Sequence, residues 1–253
     1  MATGLLVVCL GVATRLSEYL TSCQKEYRAV VQLGQSTDTY DAEGTVVTSS
    51  MSNIPVSIPD QMLDQYRGRI QQEPPAFSAI KKHGQPAYRS ARLGKPIKLA
   101  PRTVEIEALT VVDYHPPELT IIVRCSAGTY IRSLAHDLGR SLGCGAHLTS
   151  LSRTRSGPFT IEESNSIEIL SDAFSRNRGQ DYLLPPDAGL LEWPSVHLEQ
   201  ASTTRIIHGQ PIPMTQSSIK GLGLAYGPGG NLIAIVEADP VCGLWRPKKV
   251  LTS

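Results

Sequence analysis

The chain contains no Cys-x-x-Cys pair, and its five cysteines, Cys9, Cys23, Cys125, Cys144 and Cys242, are odd in number and widely spaced. That excludes a disulfide framework, gives no sign of a zinc site and fits a reducing, cytoplasmic setting. The apolar run from Leu5 to Ala13 is too short to cross a bilayer and has no Lys or Arg before it. Neither a membrane span nor a signal peptide is expected, so the run reads as buried structure. Repeats and low-complexity tracts are missing, which argues against a solenoid or a disordered scaffold. The histidines are scattered: His83, His136, His147 and His208 each lack a second ligand at helical or loop spacing and read as surface or packing residues. There is no Gly-rich phosphate cradle either, so no metal and no cofactor are expected.

Net charge is also nearly absent, at +1, but the sum hides an asymmetry. From Arg67 to Arg102 nine basic residues stand against one acid, Glu73, and from Thr160 to Gln200 eight acids stand against two arginines. So one-sided a basic segment, carrying Lys81, Lys82, Arg89, Phe77 and Tyr88, is what a phosphate-tracking surface requires. The 253 residues, 41% of them hydrophobic, suffice for one large or two small cores.

Periodicity supplies the elements. Leu10, Ala13, Leu16 and Leu20 make a short amphipathic helix, and Tyr27, Ala29, Val31 and Leu33 share one face of a strand. Residues 34–44 form the tip of a hairpin that returns through Thr45 to Thr48. Pro59 opens a short helix from Asp60 to Tyr66, and Pro74-Pro75 leads into the basic segment, with a helix from Pro86 to Leu93. Val104 to Tyr114 is another alternating strand. An acidic helix lies around Ile167 to Phe174, and short strands broken by Gly209, Gly221, Gly223 and Gly227-Pro-Gly-Gly230 follow, as in a small β-barrel.

The stretch from Leu119 to Arg155 organises the rest. Leu119, Ile121, Val123 and Cys125 alternate with polar neighbours as a half-buried strand; Gly128 breaks the pattern. From Tyr130 the apolar residues fall at Ile131, Leu134, Ala135, Leu138 and Leu142, a helical stripe that Gly143 stops, with Thr129 placed to cap its start. Arg132 then sits in the first helical turn, where the macrodipole and the free amides favour anions. Either an anion stands beside it, or it is a solvent-exposed arginine that loses a little stability to the dipole.

Cys125-Ser-Ala-Gly-Thr-Tyr-Ile-Arg132, Asp137-Leu-Gly139, Leu142-Gly-Cys-Gly-Ala-His147 and Leu151-Ser-Arg-Thr-Arg155 together resemble the tRNA pseudouridine-55 synthase (TruB) family. Further matches are Lys25-Glu-Tyr27, Thr37-Asp-Thr-Tyr-Asp41, Pro74-Pro-Ala-Phe-Ser-Ala-Ile-Lys81 and Ala87-Tyr-Arg-Ser-Ala-Arg92, so the resemblance covers about residues 1–159. It implies an α+β fold: a mixed, largely antiparallel sheet with flanking helices, followed by a small PUA-like β-barrel. The domains implied are a catalytic domain over 1–174, a linker over 175–192 and an RNA-binding domain over 193–253. The implied activity is isomerisation of uridine to pseudouridine in the T loop of tRNA, with attack at sugar or base left open. By motif position Arg132 pairs with the catalytic aspartate, Tyr27 stacks on the base and serves proton transfer, and Leu151 lines the uracil pocket. Tyr130, Lys81, Lys82 and Arg89 are the further substrate contacts. The implied partner is the tRNA T-arm, bound by a monomer.

The family's nucleophile belongs to a Gly-His-Thr-Gly-x-Leu-Asp-Pro-x-Ala-x-Gly motif, of which Met1-Ala2-Thr3-Gly4 match the last four positions. The aspartate would stand two residues before Met1, either because Met1 is an internal methionine or because the chain is truncated. The expectation is that the chain as written is inactive and leaves Arg132 without its anion. Asp38 and Asp41, in their own matched loop, are not expected to substitute. The rival readings are a non-catalytic RNA-binding protein that retains the pocket and, more distantly, a structural module with a fortuitous charge stripe.

Overall fold

The computed structural model describes residues 2–82, 84–94, 97, 99–214 and 218–251; the side chains of Lys82 and Arg92 lie outside that description. The chain divides into two units, Met1–Val7 with Ser22–Ser164 and Val8–Thr21 with Asn165–Ser253. In chain order, β1 (Thr3–Gly4) precedes a 3-10 turn, Gly11–Leu16, that runs into α1 (Ser17–Ser22). There follow β2 (Lys25–Leu33), β3 (Gln35–Thr37), β4 (Val46–Ser49), α2 (Asp60–Asp64), β5 (Gly68–Gln72), β6 (Lys81–Lys82), β7 (Gln85–Pro86) and α3 (Ala87–Arg92). Next come β8 (Arg102–His115), β9 (Glu118–Cys125), α4 (Ile131–Ser141), β10 (Ala146–Ser156) and β11 (Phe159–Thr160).

The first unit is built on a seven-stranded sheet in the order β1-β10-β2-β9-β8-β5, with β11 on β10. Only the β1–β10 pairing is parallel among those described. Alternation explains the core. Ala29, Val31 and Leu33 of β2 and Leu119, Ile121, Val123 and Cys125 of β9 are fully buried, and α4 covers that face with Ile131, Leu134, Ala135 and Leu138. Gly139 permits the close crossing, because a Cβ there would lie 2.2 Å from the Ala146 nitrogen. Gly143, at φ 74, turns the chain out of the helix as its position predicts.

Two expectations fail locally. Leu5 is buried, but Leu6 and Val8 are 72% and 68% exposed and Leu10 is exposed too. Regular pairing stops at Gly4, so the Leu5-to-Leu10 run has no second surface to cover its outer side chains. Thr129 does not cap α4: the N-cap is Tyr130, without a side-chain cap bond, and the Thr129 hydroxyl donates to the Ser126 carbonyl.

The second unit contains α5 (Ile167–Ser175), β12 (Ser195–His197), α6 (Gln200–Ile207), β13 (Ile212–Pro213), β14 (Gly221–Tyr226), β15 (Leu232–Asp239) and β16 (Leu244–Val250). Its strands form one sheet in the order β12-β14-β15-β16-β13, a half-barrel around Ile206, Ala225, Ala234, Val236 and Trp245. Residues 175–192 fall inside this unit, which holds the 3-10 turn Gly179–Tyr182 and buries Leu190 beside Leu16, Leu224 and Ile235. No helix among the described residues is long and apolar enough to cross a membrane.

Candidate active site

Arg132 enters on the first turn of α4, and three of its contacts are acceptors. Its Nη1 donates to Asp41 Oδ2 at 2.8 Å and to the Thr39 carbonyl at 3.4 Å, and its Nη2 donates to the Phe77 carbonyl at 2.9 Å. The anion expected from the helix dipole is therefore present, and it is Asp41. The expectation that Arg132 lacks an anion is corrected by this pair. Both side chains are about three-quarters shielded, which strengthens the attraction relative to a surface pair and makes unpairing either partner costly.

Asp41 is fixed from its own loop. Its Oδ1 accepts from Thr39 Oγ1 at 2.6 Å and from the Glu43 amide at 3.1 Å, while its carbonyl accepts from Thr37 Oγ1 at 2.7 Å. A parallel bridge to Leu148 of β10 holds its backbone. Asp38 serves differently, accepting from the Thr45 amide at 2.8 Å to close the β3–β4 hairpin. Gly44 leaves room for both loops of hydrogen bonds: a Cβ there would fall 2.3 Å from Thr39 Oγ1 and 2.5 Å from Asp38 Oδ1.

The segment after β5 is hung on the same helix start. Gln72 Oε1 accepts from the Tyr130 amide at 2.7 Å and its Nε2 donates to the Tyr130 carbonyl at 3.0 Å; Ser133 Oγ donates to the Glu73 carbonyl at 2.8 Å. Gln72 thus fills the capping role that Thr129 does not. Together with Arg132 and Asp41, residues Thr39, Phe77, Ser78 and Tyr88 line a cavity of about 240 Å³. Ser78 is buried, and its hydroxyl has no hydrogen-bond partner among the described residues.

Tyr27 of β2 stands opposite Arg153 of β10, and Leu151 of β10 opposite Ala29; both pack against the same core, but neither lines that cavity. Tyr27 shares a hydrogen bond with Arg153, whose Nε donates to the Leu5 carbonyl at 2.7 Å, and burial pushes the Tyr27 phenol above its ordinary pKa. Thr3 Oγ1 donates to the Leu151 carbonyl at 3.3 Å. Burial also lowers the pKa of Lys25, two residues before Tyr27 on the same face of β2.

Tyr130 contributes its main chain to the Gln72 contacts. Lys81 and Arg89 are exposed and lie away from the cavity lining, as side chains of an outer charged surface would. The side chains of Lys82 and Arg92, and residues Lys95 and Lys98, lie outside the described residues. Arg67 departs from the basic segment's expected role: Asp60 at 2.6 Å, Asp64 at 2.5 Å and the Leu109 carbonyl at 2.7 Å occupy its guanidinium, and the bonds to these carboxylates raise its pKa. Sequence reasoning missed Asp41 as the partner of Arg132, and with it Gln72, Ser78 and Arg153. The Thr37-to-Asp41 match was the available signal for the first. No cluster of three or more metal-ligating side chains occurs among the described residues.

The TruB family pseudouridylate synthase N-terminal domain matches residues 1–131, and the tRNA pseudouridylate synthase B C-terminal domain matches residues 132–190. The tRNA pseudouridine synthase B of Pseudomonas paraeruginosa is 40% identical over 256 residues, covering 100% of this chain and 84% of the relative. That of Thiobacillus denitrificans is 39% identical over 252 residues, with 100% and 83% covered. Among solved structures, a chain of a Cbf5-Nop10-Gar1 complex superposes with a TM-score of 0.71 at 24% identity, over 99% of this chain and 73% of its own. That likeness concerns the fold.

Proposed function

The chain belongs to the TruB family of pseudouridylate synthases, and from that premise we propose that it isomerises a uridine in the T loop of tRNA, at position 55. In this reaction the C1′–N1 glycosidic bond breaks, the uracil turns, C1′ bonds to C5, the C5 proton is lost and N1 takes up a proton. Atoms and electrons balance without an oxidant or a second substrate. The target base must leave its stack to react, and a pocket has to receive it.

The observation that carries the reading is the shielded Arg132–Asp41 ion pair at the start of α4. Arg132 presents a planar, charged fork suited to holding a carboxylate. Tyr27, raised in pKa by burial, keeps its proton at neutral pH and supplies a ring face and an acid to the base; Leu151 gives an apolar wall. Lys81, Lys82, Arg89 and Tyr130 are the proposed RNA contacts, and the second unit, from Trp193 onward, is the proposed PUA-like RNA-binding module. The reading extends to a monomer and to the cytoplasm, the latter supported by the free state of all five cysteines.

The test uses an unmodified tRNA transcript, the 253-residue chain, and a version with an aspartate two positions ahead of Met1. Chemical mapping should find pseudouridine at the T-loop uridine with the second protein. Modification at other uridines instead, or none with either protein, would overturn the assignment.

A further inference from the structure

Asp41 is aimed at Arg132 by a loop that carries an unusual residue. Tyr40 has φ 64, a left-handed conformation that non-glycine residues adopt uncommonly and at a cost in strain. Its ring stacks on His136 with centroids 3.9 Å apart and planes inclined by 16°. Across that contact His136 bears a second penalty, because its Nδ1 is buried without a hydrogen-bond partner among the described residues. A glycine at 40 would relieve the first and an apolar ring at 136 the second. Two unfavourable features on the two sides of one contact call for a reason.

The helix supplies it. Arg132 and His136 are one turn apart on α4 and so project to the same face, while Tyr40 and Asp41 are consecutive in the loop. Two adjacent loop residues therefore meet two helix residues spaced by a turn, one through an ion pair and one through a ring stack. A single attachment leaves a loop free to pivot; two fix its orientation. The other side of the loop is fixed as well: the Leu148 amide donates to the Tyr40 carbonyl at 3.0 Å and the Ala42 amide donates to the Leu148 carbonyl at 2.9 Å. Burial lowers the pKa of His136 and raises that of Tyr40, so at neutral pH two uncharged rings are in contact.

We propose that Tyr40 and His136 are positioning residues for the reaction: their stack sets the orientation in which Asp41 meets Arg132, and neither touches the substrate. This rests on the reading of Arg132 as part of the catalytic machinery. The measurement is nevertheless independent of turnover, because it follows the guanidinium protons of Arg132 by ¹⁵N-arginine NMR in the RNA-free chain, with Arg132→Lys identifying the signal.

Tyr40→Gly suits the backbone and removes the ring, so fold and stack are separated in one variant. Exchange of the Arg132 guanidinium protons should quicken on the order of tenfold in Tyr40→Gly and His136→Ala, the equilibrium worth of one hydrogen bond to a charged group. Tyr40→Phe and His136→Phe, which keep a stacked ring, should retain the slow exchange. Slow exchange in Tyr40→Gly would overturn the proposal, and so would loss in Tyr40→Phe equal to that in Tyr40→Gly. Failure of the functional reading would show instead as absent or misplaced pseudouridine, with the proton exchange as expected.

Discussion

Arg132 and Arg67 lie in two regions that look alike as chemistry and differ in what they hold. Each guanidinium binds carboxylate and main-chain oxygen, and each arginine side chain is about a quarter exposed. The partners separate them. Asp60 and Asp64 stand mostly in water on α2, so their bonds tie a short helix to the Leu109 carbonyl of β8 and little else. Asp41 is shielded, and the same fork reaches the carbonyls of Thr39 and Phe77, so one side chain binds two loops at the wall of a cavity. A count of cations along the sequence cannot tell these apart; a list of acceptors can.

Breaking the inner cluster should have the largest effect. In protein carrying the added aspartate, Arg132→Ala should lower the rate of pseudouridine formation by about 10²-fold or more. It should also destabilise the fold by about 3 kcal/mol, since Asp41 is left shielded and unpaired. Arg132→Lys, with charge but no fork, should recover only part of the rate. Turnover in the alanine variant equal to the parent's would remove Arg132 from the machinery.

Gly44→Ala tests the loop without touching the ion pair. The added methyl meets Thr39 Oγ1, Asp38 Oδ1 and the Thr39 amide within 2.9 Å, so the loop must shift, at about 1–3 kcal/mol in urea denaturation. A neutral result would mean that the loop adjusts without strain. On the outer surface, Lys81→Ala and Arg89→Ala should each flatten the log–log salt dependence of tRNA binding by about 0.7–0.9, the signature of one phosphate contact. An unchanged slope would mark that residue as merely solvated.

Arg67→Ala should be the mildest, with a small fall in denaturation midpoint and no change in catalytic rate. Its pH dependence is signed. Hydrogen bonding from Arg67 holds the Asp60 pKa below its ordinary value of 3.8, so the pair's contribution is fully present above that value and lost as pH falls through the depressed one. The midpoints of parent and variant should differ at pH 7 and converge in strong acid. A constant difference would assign the effect to packing.

Much of this arrangement is legible in the sequence itself. The alternation in Leu119 to Cys125 and the stripe from Ile131 to Leu138 are local patterns, and the buried strand and helix follow from them. Asp41 is marked in the sequence only by the Thr37-to-Asp41 match, which does not name Arg132 as its partner, because its placement depends on a bridge to Leu148, far along the chain, and on a hairpin whose tip folds back. The exposed run after Gly4 misled for the opposite reason. Apolar composition there is local information, whereas burial depends on whether a neighbour arrives to cover the second face. Gln72 illustrates the same limit: a polar residue ending a strand carries no mark that it will fill a helix cap.

That cap has a consequence for how events at one place are felt at another. The first free amide of α4 finds its acceptor on the segment that leads into Lys81 and Arg89, so the helix end and the strap cannot loosen independently. Thermodynamic linkage is reciprocal, and ligand that steadies the strap must also steady the turn bearing Arg132. The Tyr130 amide should therefore report occupancy of the proposed RNA surface at Lys81 and Arg89, its deuterium uptake slowing when RNA engages them.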